Sequence, residues 1–319
     1  MGRVTHADTQ RMMAWLLASR KEPHFTVTVQ SASAPFNYSF TPYITAGESF
    51  WVDWGDGSEE TFTAVSSTEK SYTYNAPGTY TIRMRGSAGI NRVRIAPMDA
   101  GQASLVIGSN GNLDKLGTIT ITAEMFRACP NLVMTELTGG FTSIGVNAFR
   151  DCTNITLTSL PEGVTDIGSA AFYGCTNLAL TSLPADVTSI SGNAFQYCTN
   201  ITLTSLPEGV TSIGSATFLN CAKLALTSLP EGVTSIGNNA FFNCTNITLT
   251  SLPEDVTSIG TNAFWGCTGL TNLVFRGTPT SIASNAFTGS GVNLYVPWSS
   301  GAVAGAPWGA ASVTYDYTP

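Results

Sequence analysis

The cysteines of this chain stand at Cys129, Cys152, Cys175, Cys198, Cys221, Cys244 and Cys267, with no exception to a 23-residue step. Around each one the same sentence is rewritten, as in CTNITLTSLPEGVTSIGSATFLN from Cys198 to Asn220. A Phe precedes each cysteine by three residues, from Phe126 to Phe264, and Phe287 precedes Ser290, which holds the slot in an eighth coil. Further apolar columns run through Leu160, Val164 and Ile167 and their copies every 23 residues. Self-similarity of this length is the signature of a solenoid. One coil offers seven or eight apolar side chains, each worth about 2 kcal/mol when buried. Ordering each backbone residue costs about 1–2 kcal/mol, so a single coil cannot fold. Stacking, in which neighbours share a core and form parallel ladders, makes the array viable.

Composition agrees. Hydrophobic residues make up 43% of the 319, enough for a core, but charged residues only 11%, against about a quarter in ordinary domains. Thr, Ser, Asn and Gly fill the surface instead. The net charge of −7 and the lack of any Lys/Arg cluster argue against nucleic acid and anionic membranes as partners. No apolar run approaches the length needed to span a bilayer.

Residues 1–23 read as a helix or docking segment. Thr5 can cap it, Arg20 and Lys21 close it, and Pro23 stops it. Met12, Trp15 and Leu16 share one face at helical spacing. That face either packs on its own domain or docks an assembly partner or a second copy of the chain. Residues 24–98 alternate like strands in HFTVTVQ, ESFWVDW, TYTIRMR and NRVRIAP, broken by PFN, GDG and APG turns. VDWGDGSEE, the following YTY and PGTYTIRM resemble the PKD-type immunoglobulin-like domain. Trp54-Gly55-Asp56-Gly57 and the Gly78, Tyr80, Ile82 series match its pattern, with Tyr72 where that family has His. The resemblance implies a β-sandwich that serves as a spacer or weak binding module.

The repeat, C-x-x-L-x-x-x-x-L-P-x-x-V-T-S-I-G-x-x-A-F-x-x-C, resembles the leucine-rich repeat of the BspA-like family over residues 119–291. That family has an apolar residue six after the cysteine, whereas Leu157, Leu180, Leu203, Leu226 and Leu249 lie five after it. The fold class expected is therefore mainly β: an immunoglobulin-like sandwich, then a leucine-rich repeat solenoid of 23-residue coils with parallel strands over 99–291. A cap over 292–319 covers the open core with Trp298 and Trp308. The family consists of surface and adhesion proteins of bacteria, some protists, and phages, and the resemblance implies adhesion. NITLTSLP recurs at residues 154, 200 and 246, so the duplicated unit spans two coils, and its N-I-T sequons are copies of one ancestor.

Little here points to chemistry. Equal spacing gives no C-x-x-C pair or metal-binding cluster, and stacked cysteines point the same way rather than at one another. A ladder of small buried thiols is the expectation. Both histidines, His6 and His24, lie outside the array with no nucleophile motif beside them. The acidic turn of Asp53, Asp56, Glu59 and Glu60 reads as a hairpin turn, with Ca²⁺ binding as the alternative. No catalytic residue, metal or cofactor is expected. The two positions before each cysteine vary most. The first follows the buried Phe and is expected to point outward, so Arg150, Tyr173, Gln196, Leu219, Phe242 and Trp265 form the candidate ligand-binding stripe. The expected function is non-enzymatic recognition of a protein or glycan on a cell surface. No export signal or anchor is read in the sequence, which favours a phage tail or capsid-decorating protein assembled in the host cytosol. A bacterial cell-surface adhesin and a purely structural spacer are the alternatives.

Overall fold

A computed structural model describes residues 25–44, 47, 49–63, 67–86, 93–95, 106–109, 120–121 and 123–318. The segment read as a docking helix, with Met12, Trp15 and Leu16, lies outside them. The amino-terminal region forms two sheets. In the first, β1 (Phe25–Ser31) turns Phe25, Val27 and Val29 inward. It pairs antiparallel with β6 (Gly78–Gly86), from Phe25↔Met84 to Ser31↔Gly78. β3 (Phe50–Asp53) and β4 (Glu59–Phe62) extend one edge and β8 (Val106–Ser109) the other, in the order β4-β3-β6-β1-β8. The second sheet is β5 (Lys70–Tyr74), β2 (Phe36–Pro42) and β7 (Val93–Arg94), with β2 central. Phe40 of β2 joins the sheets, with ring centroids 5.4 Å from Phe50 and 5.7 Å from Trp54. Gly55 is obligatory in the turn after Trp54: its φ is +84°, and a Cβ there would sit 2.6 Å from the Thr81 carbonyl oxygen.

One turn is misplaced by the sequence. PFN reads as a break, yet Phe36 and Asn37 open β2. The reversal is completed earlier, where the Ser31 hydroxyl bonds Ser33 O and accepts from Ser33 N. β2 is buried at six of its seven positions, though its residues alternate, with Phe36, Tyr38 and Phe40 set between Asn37, Ser39 and Thr41.

In the solenoid each coil contributes a two-residue parallel bridge. These are β9 (Thr120–Ile121), β10 (Ser143–Ile144), β11 (Asp166–Ile167), β12 (Ser189–Ile190), β13 (Ser212–Ile213), β14 (Ser235–Ile236), β16 (Ser258–Ile259) and β18 (Ser281–Ile282). Paired residues are 23 apart, as in Ile144↔Ile167, and the Ile turns into the core. Gly168 N donates to Ile144 O at 2.8 Å on this side. The turn side bonds in the opposite sense, with Asn147 N, Phe149 N and Asp151 N donating to Ser169, Ala171 and Tyr173 carbonyls. On a third side Thr202 N donates to Leu180 O and Thr248 N to Leu226 O. β15 (Ser251–Leu252) and β17 (Asn272–Phe275) regularise this side toward the carboxyl end. Leu157, Leu180, Leu203, Leu226 and Leu249 are all buried, so the leucine five after each cysteine fills the core. Between the sides, Phe126 to Phe287 form a continuous ring stack, successive centroids 5.2–5.7 Å apart and planes within 18°.

The low charge content has its reason in this stacking. Most outward side chains meet a similar one a coil away, where like charges at ~4.8 Å would repel by roughly 1 kcal/mol per pair even in water; the exposed column of Glu208, Glu231 and Glu254 departs from this. Hydroxyls and amides bond to their copies' coils instead. Thr257 Oγ1 bonds Thr234 O at 3.0 Å, and Asn243 Nδ2 donates to Asn220 Oδ1 at 3.0 Å.

Both ends of the stack are covered. At the amino end Phe25 meets Phe126 edge-on at 6.2 Å, Ile95 N donates to Met125 O, and Arg94 pairs with Glu124 at 3.3 Å. At the carboxyl end β19 (Asn293–Tyr295) and β20 (Ser312–Thr314) extend the β15-β17 sheet. Trp298 and Trp308 are buried there, Trp298 lying edge-on to Phe275, and Phe287 N donates to Trp308 O.

One joint differs. β9 to β12 form one sheet and β13, β14, β16 and β18 another, with no bridge between β12 and β13. Gly145, Gly168, Gly237 and Gly260 each donate to the Ile O of the preceding coil, but among the described residues Gly214 does not reach Ile190 O. The cause lies in the sequence order: Ser191-Gly192 stands where most other coils have Gly and then a larger residue. Gly214 then lies over Gly192, a Cβ on it meeting Gly192 N at 2.9 Å. Thr217, in a column that is otherwise Ala from Ala148 to Ala286, turns its Oγ1 onto Gly214 O at 2.9 Å. The strand side is therefore interrupted at this joint, while the turn side still bonds across it, as Phe195 N to Thr217 O at 2.9 Å. Native-state hydrogen exchange should find the Thr211 and Gly214 amides exchanging faster than Thr234 and Gly237. Equal protection across the four would contradict the joint.

Candidate recognition face

Three clusters could carry function: the cysteines, the acidic turn, and the side chains outside the Phe stack. The cysteines are all buried and free. Cys152, Cys175, Cys198, Cys221, Cys244 and Cys267 each donate S–H to the carbonyl of the Phe 26 residues earlier, at 2.9–3.0 Å. That carbonyl also accepts the N–H of its own coil's cysteine, as Cys175 N to Phe172 O at 3.1 Å. A thiol fits because it is small, apolar and still a donor. Ser290 fills the slot differently, its hydroxyl turning back to Phe287 O in its own coil at 2.6 Å. Burial pushes the end thiols, Cys129 and Cys267, up to about 12 and the interior ones higher. A nucleophilic cysteine needs the opposite shift, so the column is structural.

The acidic turn is internally satisfied. Asp53 Oδ1 accepts from Gly55 N at 2.9 Å, and its Oδ2 pairs with Arg83 at 2.9 Å. Asp56 Oδ1 accepts from Ser58 N, and its Oδ2 accepts the Tyr72 hydroxyl at 2.7 Å. Burial works to raise the Asp56 pKa, but the hydrogen bonds from Tyr72 and Ser58 outweigh it and hold the carboxyl below its ordinary value. Tyr72 stacks on Trp54 at 4.7 Å while making that bond, so the residue that departs from the PKD pattern ties the turn to the core. Among the described residues no group of three His, Cys, Asp or Glu is placed to hold a metal.

The stripe of Arg150, Tyr173, Gln196, Leu219, Phe242 and Trp265 runs along the turn side, and each member is half-buried. The Arg150 guanidinium lies 4.5 Å from the Tyr173 ring centre. Phe242 and Trp265 stack with centroids 4.5 Å apart and planes 8° from parallel. The neighbouring column is not free to vary as the sequence suggests. Asp151, Gly174, Tyr197, Asn220, Asn243 and Gly266 all have φ between 57° and 72°. An ordinary side chain in the left-handed region costs roughly 1–2 kcal/mol, and Gly, Asn and Asp tolerate it best. Backbone conformation therefore selects this column, with one exception that the repeat pattern does not announce. Tyr197 sits at φ 64° with its ring edge-on to Tyr173 at 5.4 Å. At 37% it is the exposed aromatic among the described residues. A shallow groove of about 380 Å³ along β13, β14, β16 and β18 is lined by Ser, Gly, Ile and Asn, with no titratable group.

A family model described as BspA type leucine-rich repeat region, six copies, matches residues 119–248 and 188–296. Among solved structures, a leucine-rich cell surface protein from Faecalibacterium prausnitzii A2-165 is 23% identical, TM-score 0.43, over 61% of this chain and 60% of its own. The T. pallidum leucine-rich repeat protein is 28% identical, TM-score 0.42, over 57% and 81%. A leucine-rich repeat protein from Bacteroides ovatus is 19% identical, TM-score 0.37, over 66% and 71%. The chain thus spans less than two thirds of the F. prausnitzii protein. No curated protein matches it.

The thiol column makes stability depend on pH in one direction. Folded thiols hold their protons where unfolded ones, near pKa 8.5, lose them. Their contribution is complete below about pH 8.5 and is lost between there and about 12, where Cys129 and Cys267 ionise. Each thiol costs about 1.4 kcal/mol per pH unit inside that window. The denaturation midpoint should hold steady from about pH 7 to 8 and fall steeply from about pH 9 to 11. A level profile through that range would show the thiols are not buried as described.

Proposed function

We propose, from the premise that this chain belongs to the BspA-type leucine-rich repeat family, that it is a non-enzymatic recognition protein whose turn side is the binding face. The observation that carries this is the Arg150-to-Trp265 stripe. It joins the strongest side-chain variation of an otherwise repetitive array to a backbone held by hydrogen bonds on three sides. A rigid scaffold that varies along one stripe is the arrangement recognition surfaces use, because little ordering entropy is lost on binding. Aromatic and Arg side chains, which dominate binding hot spots, occupy four of its six positions.

In this reading residues 1–23 dock the protein to its assembly. Residues 24–98 form a PKD-type immunoglobulin-like spacer, 99–291 the leucine-rich repeat solenoid, and 292–319 its cap. The setting is a virion, in which the chain decorates the tail or capsid and contacts the host surface. A ladder of reduced thiols, six of them donors between coils, fits folding in a reducing cytosol. Mass spectrometry of purified phage particles should contain the chain, and its recovery from cell envelopes alone would favour a bacterial surface adhesin instead. For the face, Tyr173, Phe242 and Trp265 replaced together by Ser should weaken cell binding about tenfold or more while the fold survives. Undiminished binding by a folded triple variant would move the site elsewhere.

A further inference from the structure

We infer that the recognition face binds a neutral carbohydrate and that Tyr197 is its central contact. This rests on the turn-side reading above and names the ligand class for it. Tyr197 is the starting point because the backbone of its slot does not ask for it, although its ring lies edge-on to Tyr173. Its column is otherwise Ala, Asp, Gly and Asn, its φ is 64°, and its ring is exposed. The backbone bonds of the slot form whatever side chain it carries: Tyr197 N donates to Leu219 O at 2.8 Å, as Asn220 N does to Phe242 O. A bulky residue kept in the left-handed region and turned to solvent marks a position held for something other than stability. It sits on the coil that also carries Ser191-Gly192, beside the one joint without a strand bridge. Two departures from the repeat's local rules thus meet in one coil.

The chemistry around Tyr197 narrows the ligand. Along the two columns, from Tyr173 to Gly266, the side chains are Tyr, Gln, Leu, Phe, Trp, Asn and Gly, with no charge. Arg150 and Asp151, just beyond, pair with each other at 3.3 Å. A phosphate, nucleotide or acidic glycan would need unpaired cations that this face lacks. An extended peptide adding a strand would need open backbone groups. Phe195 N, Tyr197 N and Asn220 N instead already donate to the next coil. What fits is a ligand with an apolar C–H face for aromatic rings and uncharged hydroxyls for amides, which describes a neutral hexopyranose. Gln196 supplies an amide beside the rings, and Asn220 Nδ2 and Asn243 Oδ1 are the amide groups left by the bond from Asn243 Nδ2 to Asn220 Oδ1. Tyr197 and the Phe242–Trp265 stack lie two coils apart, ~10 Å at strand spacing. That separation suits an oligosaccharide lying along the array rather than a single sugar.

The test uses the full chain and its Tyr197→Asn variant on an array of neutral and acidic oligosaccharides. Separate arms carry bacterial envelope polysaccharides and eukaryotic glycans, so the arm that binds names the source. The parent should bind neutral glycans, and Tyr197→Asn should bind them roughly tenfold or more weakly. The variant's Tm should equal or exceed the parent's, because Asn suits the left-handed slot. A purely structural Tyr197 would instead lower Tm on substitution, and that result overturns the inference. So does unchanged glycan binding by the variant, or a parent that binds acidic glycans alone or none. If the array stays blank while the Tyr173, Phe242 and Trp265 triple variant still loses cell binding, the recognition face stands with a protein ligand and only the carbohydrate inference falls.

Discussion

Everything in the array depends on one coil being unable to fold without the next. The cysteine column is where that dependence is most specific. Each thiol from Cys152 to Cys267 is buried in its own coil but spends its hydrogen on the preceding coil's Phe carbonyl, at 2.9–3.0 Å in six successive joints. The Phe whose carbonyl accepts is also the ring that stacks on its copies, so one residue carries a polar and an apolar link between the same two coils. Alanine in the cysteine slot would leave the second lone pair of that carbonyl without its partner, and a larger apolar residue would overfill the site. The strict spacing follows, since a residue inserted anywhere in a coil would take both links out of register.

The ends obey the same logic. An array that buries its faces by stacking leaves two faces uncovered, and each is closed here by aromatic residues from a different architecture. Phe25 of β1 meets the first ring of the stack, while Trp298 and Trp308 close the last. The amino-terminal sheets are thus part of one continuous core with the coils. The unbridged joint beside Ser191-Gly192 shows how little slack the strand side has. The break coincides with a glycine moved by one residue, and a Cβ in this column is not its cause, since Ser191 N and Ala283 N both still donate to the preceding coil at 2.9 Å.

Much of the fold is legible in the residues because a repeat averages away local ambiguity. Ile167 alone says little, but eight copies at one spacing specify an inward column. The amino-terminal strands show the contrast. β1, β2 and β5 alternate in sequence, as FTVTV, FNYSFT and SYTY, whereas β4, EETF, carries no period of two that would reveal it. The stripe from Arg150 to Trp265 is visible as variation. Its neighbour reads as equally free, since sequence shows which residues occupy a slot but not the sign of φ that selects them.

Residue spacing alone establishes that this chain stacks, in what period, around which columns, and that its cysteines are bricks rather than reagents. Those conclusions follow from spacing and from the energy balance of a coil that cannot stand alone. Only the tertiary structure decided why the bricks are thiols, where the stack is unlatched, and which variable position is strained. Each of these depends on atoms about 23 residues apart in sequence and in direct contact in space. The left-handed Tyr197 is the clearest case. As a letter it is one tyrosine among ten, and only its backbone angle and exposed ring, set by the coils on either side, single it out.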